Sequence, residues 1–289
     1  MVIALPAAIL SFTIFLLIPQ DANAWGPATH LEVGINILRD LNSIAPGVVP
    51  LIEKFSYDFL YGNISADIVV GKNLVDELKH CHNWSFGFKL LRRAESDSQK
   101  AFAYGYLSHL AADTVAHNHF IPEMMVRSFS ARIMRHIYWE MRFDALADKR
   151  VWKIPDKIAK SVHQDNDRLL SSVLEGTPLS FRTSKTIFSS FLNLHRIEHW
   201  HRMINLLSSS SKWVLHKKDK DRFFKLSLDA AKDVLSRGRQ ADCLKKDPVG
   251  RKNLQHAKTT RKKLKAVKRQ GKNWEELLER SLKGFSQPT

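Results

Sequence analysis

Residues 99–117 read QKAFAYGYLSHLAADTVAH, and this stretch decides the fold class. Its apolar and small residues recur at helical spacing on several sides, the pattern of a long helix packed among other helices. Pro122 marks the expected end, because a proline pushes the residue before it out of the helical region. Within the stretch, His109 and Asp113 stand four residues apart, so both project from one face, and His117 occupies the next i+4 position. The neighbours of Asp113, from Leu107 to Ala116, are mostly small or apolar. A carboxylate buried there without a partner costs several kcal/mol, so Asp113 requires a cation or strong donors.

Outward from this helix the periodicity stays helical. It predicts helices over His30–Leu41 (after Pro27, a residue suited to a helix start), Ser130–Leu146, Ile158–Leu174 and Lys185–Leu207. From Lys212 the pattern continues to about Leu235, then weakens. Pro248-Val249-Gly250 marks a break, Arg261–Arg269 (RKKLKAVKR) reads as a solvated basic run, and Lys272–Phe285 as a short amphipathic helix. No segment alternates in the manner of a hairpin. The expected fold class is therefore all-α, a multi-helix bundle with a basic C-terminal extension that is helical or flexible.

The 289 residues carry 45 Lys and Arg against 29 Asp and Glu, a net +16 that invites a nucleic-acid or anionic-membrane reading. Its location is uneven. Residues 1–204 hold 22 basic and 20 acidic residues, a net +2; residues 205–289 hold 23 and 9, a net +14. At the other end, Val2–Pro19 is almost wholly apolar and is followed by Ala22-Asn23-Ala24, the small-x-small triplet of a cleavage site, although no Lys or Arg precedes the apolar run. The expected organisation is a signal peptide over 1–24, a catalytic helical domain over 25–210 and a basic extension over 211–289, with the mature chain starting at Trp25 and secreted or periplasmic. An uncleaved anchor is the alternative reading of the apolar run. Cys81 and Cys243 can pair in an oxidising compartment, but their spacing says nothing about geometry.

His136 and Glu140 repeat the i, i+4 arrangement on the following helix, and the first third adds Trp25-Gly-Pro-Ala-Thr-His30, Asp67 and the His80-Cys81-His82 cluster. A lone histidine on an apolar helix is more often a hydrogen-bonded core residue than a ligand. Two helices that both offer His/carboxylate pairs follow the rule by which bundles build multi-metal sites. Nitrogen plus carboxylate suits zinc, and close-set ions suit phosphoester hydrolysis.

From Trp25 to Leu207 this set resembles the zinc-dependent phospholipase C family, itself similar in fold and metal site to the three-zinc, single-strand-specific secreted nucleases. The resemblance implies up to three zinc ions. One would be held by Asp67, His82, His109 and Asp113, with His80 as the other register for His82. Asp113 would bridge to a second, held by His30 and by the terminal amine and carbonyl of Trp25. The third would be held by His117 or His119 with His136 and Glu140. The family's secreted enzymes place a His six residues after the Asp, with a Pro between, which selects His119. No Pro stands there in this chain, and an uninterrupted helix selects His117. The resemblance also implies a proton-accepting role for Asp67.

Three functional readings follow. The first is a zinc phosphodiesterase that cleaves phospholipid head groups at a membrane surface. The second keeps the metals but acts on single-stranded nucleic acid, with the basic segment on the phosphate backbone and Trp213, Phe223, Phe224 and Trp274 stacking on bases. The third is a non-catalytic surface-binding protein with a structural metal site, whose tail from Leu235 to Thr289 holds anionic lipid or nucleic acid. If body and tail have separate roles, deletion at Asp247 abolishes surface binding and leaves hydrolysis of a soluble substrate intact.

Overall fold

The computed structural model describes residues 25–69, 81–131, 136–148, 150–151, 158, 163–174, 179–195 and 213–286. The expected signal peptide (1–24), His80 and the 196–207 part of the helix expected to reach Leu207 lie outside the described residues. Among the described residues all regular structure is helical and there is no strand, as the periodicity predicts.

Helix α1 (Pro27–Arg39) carries Pro27 in its first turn, where the missing N–H costs nothing. Its cap comes from far away in sequence: the buried Asp144 carboxylate accepts from Ala28 N at 3.2 Å and from Thr29 N and Thr29 Oγ1, both at 2.7 Å. Helices α2 (Val49–Lys54) and α3 (Ser56–Ser65) follow, and α3 runs into a tight 3-10 turn at Ala66–Ile68. Helix α4 (Trp84–Arg93) is capped by Asn83, whose Oδ1 accepts from Phe86 N at 2.7 Å. Helix α5 (Asp97–Val115) begins with a reciprocal capping box: Ser96 Oγ accepts from Gln99 N, and Gln99 Oε1 from Ser96 N.

Helix α5 is the axis of the fold, buried on every side from His109 to Asp113. Against it α3 makes direct backbone contact at two glycines. A Cβ on Gly62 would stand 2.1 Å from Phe102 O, and one on Gly105 would stand 2.0 Å from Phe59 O. Any side chain at either position would force the helices apart.

The chain does not leave the helical path at Pro122 as expected. Ala116–Phe120 form a π-turn, closed by Ile121 N donating to Ala116 O, and α6 (Ile121–Arg127) continues with Pro122 in its first turn. Proline has no N–H to offer Asn118 O, so an α-helical continuation would lack that bond and a wider turn takes its place. Beyond lie α7 (His136–Asp144), α8 (Gln164–Val173), α9 (Phe181–His195), α10 (Lys217–Arg237), α11 (Arg251–Arg269) and α12 (Glu275–Ser286).

The expected boundary at residue 211 is one of charge and not of packing. Helix α10 lies along α5, while α11 and α12 pack on α6. One core cluster joins Trp25, Phe120, Met124 and Phe143 to Phe223, Leu254, Leu264 and Phe285. Several charges of the segment face the body: Lys220 Nζ lies 2.7 Å from Glu32 Oε2, Arg222 pairs with the buried Glu123, and Arg127 donates to Asp219 at 2.9 Å. Of the run expected to be solvated, Lys262, Lys263, Lys268 and Arg269 are exposed, but Leu264 is buried with Leu254, Ala257 and Thr260 on the inner face of α11, and Arg261 donates to Phe129 O and Ala131 O. Phe223 is fully buried, and Trp213, Phe224 and Trp274 pack against the same cluster. Of the residues expected to stack on bases, Phe223 is therefore closed off in the core and the other three are partly buried against it.

Candidate metal centre

The capping and glycine contacts above bring histidines and carboxylates from four segments to one face of α5. His109 and Asp113 come from α5, His30 from α1, Asp67 from the turn after α3, and His82 from the residue before the α4 cap. Asp113 Oδ1 lies 3.2 Å from His30 Nε2, while its Oδ2 lies 3.2 Å from His109 Nε2 and 3.5 Å from His82 Nε2. His82 Nε2 is also 3.3 Å from Asp67 Oδ1 and 3.2 Å from His109 Nε2. The potential ligand atoms form two groups that share His109, His30/His109/Asp113 and Asp67/His82/His109, with all atoms of a group within 4.8 Å of one another.

Electrostatics suit a cation in this cluster. Burial alone pushes the Asp113 carboxyl up, but the His109 and His30 rings outweigh it and hold it well below the usual carboxylate range. Burial, and the His109 charge after it, lower His30 toward the neutral ring that a metal requires. The His30 and His109 rings stack at 3.8 Å, which two protonated imidazoles would resist. No hydrogen bond of good geometry reaches either Asp113 oxygen or either His30 ring nitrogen. Buried polar atoms left so are what a bound cation would satisfy.

A third group lies further along the same face: His117 on the π-turn with His136 and Glu140 on α7. His136 Nε2 is 2.9 Å from Glu140 Oε1, and the His117 and His136 rings meet edge to face at 5.1 Å. His119, the other candidate, stands outside the group. Its Nε2 faces Lys246 Nζ at 2.8 Å, and burial together with that ammonium lowers its pKa to about 4. The π-turn separates the two rings, so His117 belongs to the cluster without standing on a continued α-helix.

Trp25 gives no side-chain ligand atom. Its buried indole donates from Nε1 to Ala112 O at 3.0 Å and to Ser227 Oγ at 3.1 Å, which fixes Trp25 beside Asp113. No disulfide joins the buried Cys81 and Cys243, and burial pushes Cys243 up to about 12. Several residues that matter here left no motif in the sequence. Asn63 O accepts from His109 Nδ1 at 2.8 Å, Pro248 O accepts from His117 Nδ1 at 2.6 Å, and Tyr106 Oη donates to Cys81 O at 2.8 Å, next to His82. Carbonyls carry no residue signature; only the close-packed Gly62 and Gly105 hint that α3 and α5 meet there.

Comparison with curated proteins and with solved structures gives no significant match. The family model described as zinc dependent phospholipase C matches residues 29–187, more than half of the chain. That stretch holds every side chain of the three groups, from His30 to Glu140. Sequence match, helical fold and ligand geometry agree: this chain belongs to the zinc-dependent phospholipase C family.

Proposed function

We propose that this protein hydrolyses phosphodiesters with bound zinc, and that its substrate is a phospholipid whose phosphorylated head group is released. The observation that carries this reading is the Asp113 carboxylate, which turns one oxygen toward His30 and the other toward His82 and His109. That is the disposition of a carboxylate shared by two cations. The donor set of imidazoles and carboxylates fits zinc. Asp67, His82, His109 and Asp113 would hold one ion; Asp113, His30 and the main chain of Trp25 a second; and His117, His136 and Glu140 a third. Bound there, zinc supplies positive charge that offsets the phosphate's own and makes a water acidic near neutrality.

The chain's own groups then have separate tasks. The carbonyl of Asn63 fixes the proton of His109 on Nδ1 and leaves Nε2 facing the site. Asp67 is the most accessible member of its group, its side chain 9% exposed, and accepts the proton of the attacking water. Water oxygen bonds to phosphorus, the bond from phosphorus to the glycerol oxygen breaks, and that oxygen takes up a proton as diacylglycerol leaves.

Family membership, and the full burial of Phe223 in the core, favour lipid over single-stranded nucleic acid. Helix α11 has no acidic residue and exposes Lys252, Lys258, Lys262, Lys263 and Arg269, a face that suits an anionic membrane. Among the described residues no helix is long and apolar enough to cross a membrane. Export with cleavage after Ala24 completes the proposal, and N-terminal sequencing of exported protein tests it.

The deciding assay compares one preparation on a phosphatidylcholine analogue and on single-stranded DNA, before and after zinc removal. Zinc-dependent release of the phosphorylated head group is expected. Full activity without zinc, or hydrolysis of DNA alone, would overturn the reading.

A further inference from the structure

The third ligand group has an unusual support. Residues 246–253 lie beyond the family-matched stretch, yet three consecutive carbonyls there each take a donor from the body. Trp84 Nε1 donates to Lys246 O at 2.9 Å, Asn118 Nδ2 to Asp247 O at 2.8 Å, and His117 Nδ1 to Pro248 O at 2.6 Å. Asn253 closes the arrangement by donating from Nδ2 to Asn118 Oδ1 at 2.9 Å. Lys246 holds the neighbouring His119 ring through Nζ. Gly250 sits against the other side of His117, with φ +61°. A Cβ there would stand 2.5 Å from both His117 Cβ and His117 O.

We infer that residues 246–253 are a positioning latch for the third metal site, in which Pro248 O sets the tautomer and direction of His117. The inference rests on the metal reading proposed above. A carbonyl can only accept, so the proton of His117 stands on Nδ1 and its Nε2 carries the lone pair toward His136 and Glu140. The ring is thus oriented by backbone from a segment 131 residues away. Two features restrict what can replace the latch. The left-handed backbone at residue 250 favours glycine, and the space beside His117 admits no side chain. The Asn118 amide joins the π-turn to the segment through two of its bonds and to Thr114 O through a third, at 2.9 Å. Lys246 at the same time keeps His119 out of the ligand set, so the segment holds in place the same histidine that i+4 spacing favours.

The test uses full-length, zinc-loaded protein and three variants: Gly250→Ala, which pushes on His117; Asn118→Ala, which cuts the latch with no added bulk; and Glu140→Gln, which removes a ligand of the same site. Zinc per chain is measured by elemental analysis across a chelator series, and each zinc-free protein is melted. The expected result is that Gly250→Ala and Asn118→Ala release one zinc at about 10–100-fold lower chelator concentration while the others stay, and that zinc-free Asn118→Ala, which loses the hydrogen bonds of a buried amide, melts below wild type. Glu140→Gln should lose the same single ion. Should Gly250→Ala fail to fold, Asn118→Ala decides alone. Wild-type retention of all ions in Asn118→Ala overturns the latch and leaves the metal reading standing. Lower zinc-free melting with no selective release assigns the segment a structural role only, which also overturns it. A wild-type protein that takes up no zinc overturns the metal reading itself.

Discussion

The two halves of the candidate metal centre are built by different means. The His30/Asp67/His82/His109/Asp113 cluster is enclosed by helices that pack early in the chain, and its orienting carbonyl, Asn63 O, lies on α3 directly against α5. The His117/His136/Glu140 group stands on a π-turn, with its orienting carbonyl, Pro248 O, on the C-terminal segment. The orienting carbonyl of the first cluster lies 46 residues from its histidine and that of the second lies 131 residues away. Substitutions at the chain's end that leave the fold standing therefore bear on the second group and not on the first.

The largest effect that would test this contrast is deletion from Asp247 onward. It removes Val249, Leu254, Ala257, Leu264 and Phe285, all buried. At about 1.5–3 kcal/mol per large side chain, the loss approaches the whole stability of a domain. The expected outcome is insoluble protein, or protein without a cooperative thermal transition. A soluble, fully active truncation would restore the picture of a detachable tail.

Next in size are the ligand substitutions. Asp113→Asn should lower hydrolysis by about 10²–10³-fold or more, since it removes the carboxylate that the proposed function shares between two cations. It should also cost two zinc ions per chain, against one for Glu140→Gln, by elemental analysis. Equal losses in the two variants would remove the distinction between the clusters.

Gly105→Ala probes the support of the first cluster. Its Cβ would stand 2.0 Å from Phe59 O, and overpacking of this kind costs about 1–3 kcal/mol. A fall of several degrees in the melting temperature is expected, with weaker zinc retention at the first cluster and unchanged retention of the ion at His117. A variant that melts like wild type would show that the two backbones need not touch.

An effect of similar size, confined to part of the pH range, concerns Asp144, which caps α1 from the end of α7. Burial raises its pKa to about 6, against the hydrogen bonds from Thr29 and Ala28, which lower it. The folded form thus holds the proton more tightly than the unfolded one. Its contribution is fully present below the unfolded carboxylate range near pH 4 and is lost as pH rises through 6. In zinc-free protein this amounts to about 2–3 kcal/mol at most. The difference in stability between wild type and Asp144→Asn should therefore shift between pH 4 and 7. A difference independent of pH would show that the carboxyl does not titrate in that range.

Much of the metal centre is legible in the order of residues alone. The i, i+4 pairs at His109/Asp113 and His136/Glu140 are local facts of helix geometry, and each ends up within one ligand group. The choice between His117 and His119 is not legible there, because it depends on a π-turn next to Pro122 and on Lys246, far along the chain. The basic run reads as solvent-facing because the charge of α11 masks a narrow apolar stripe, Leu254, Ala257 and Leu264, that suffices to bury one face. Similarly, Asp144 gives no sign of its task, since a cap supplied from another helix leaves no pattern near the helix it caps.

The sequence by itself determined the helical class, the identity and order of the candidate ligands, and the division of charge between a near-neutral body and a basic end. These depend on residue type and short-range spacing, which helix periodicity converts directly into shared faces. Only the tertiary structure decided which histidine completes the third group, which carbonyls orient the rings, and that the basic end is part of the core. Those outcomes rest on backbone groups common to every residue and on contacts between distant segments, for which no local pattern exists.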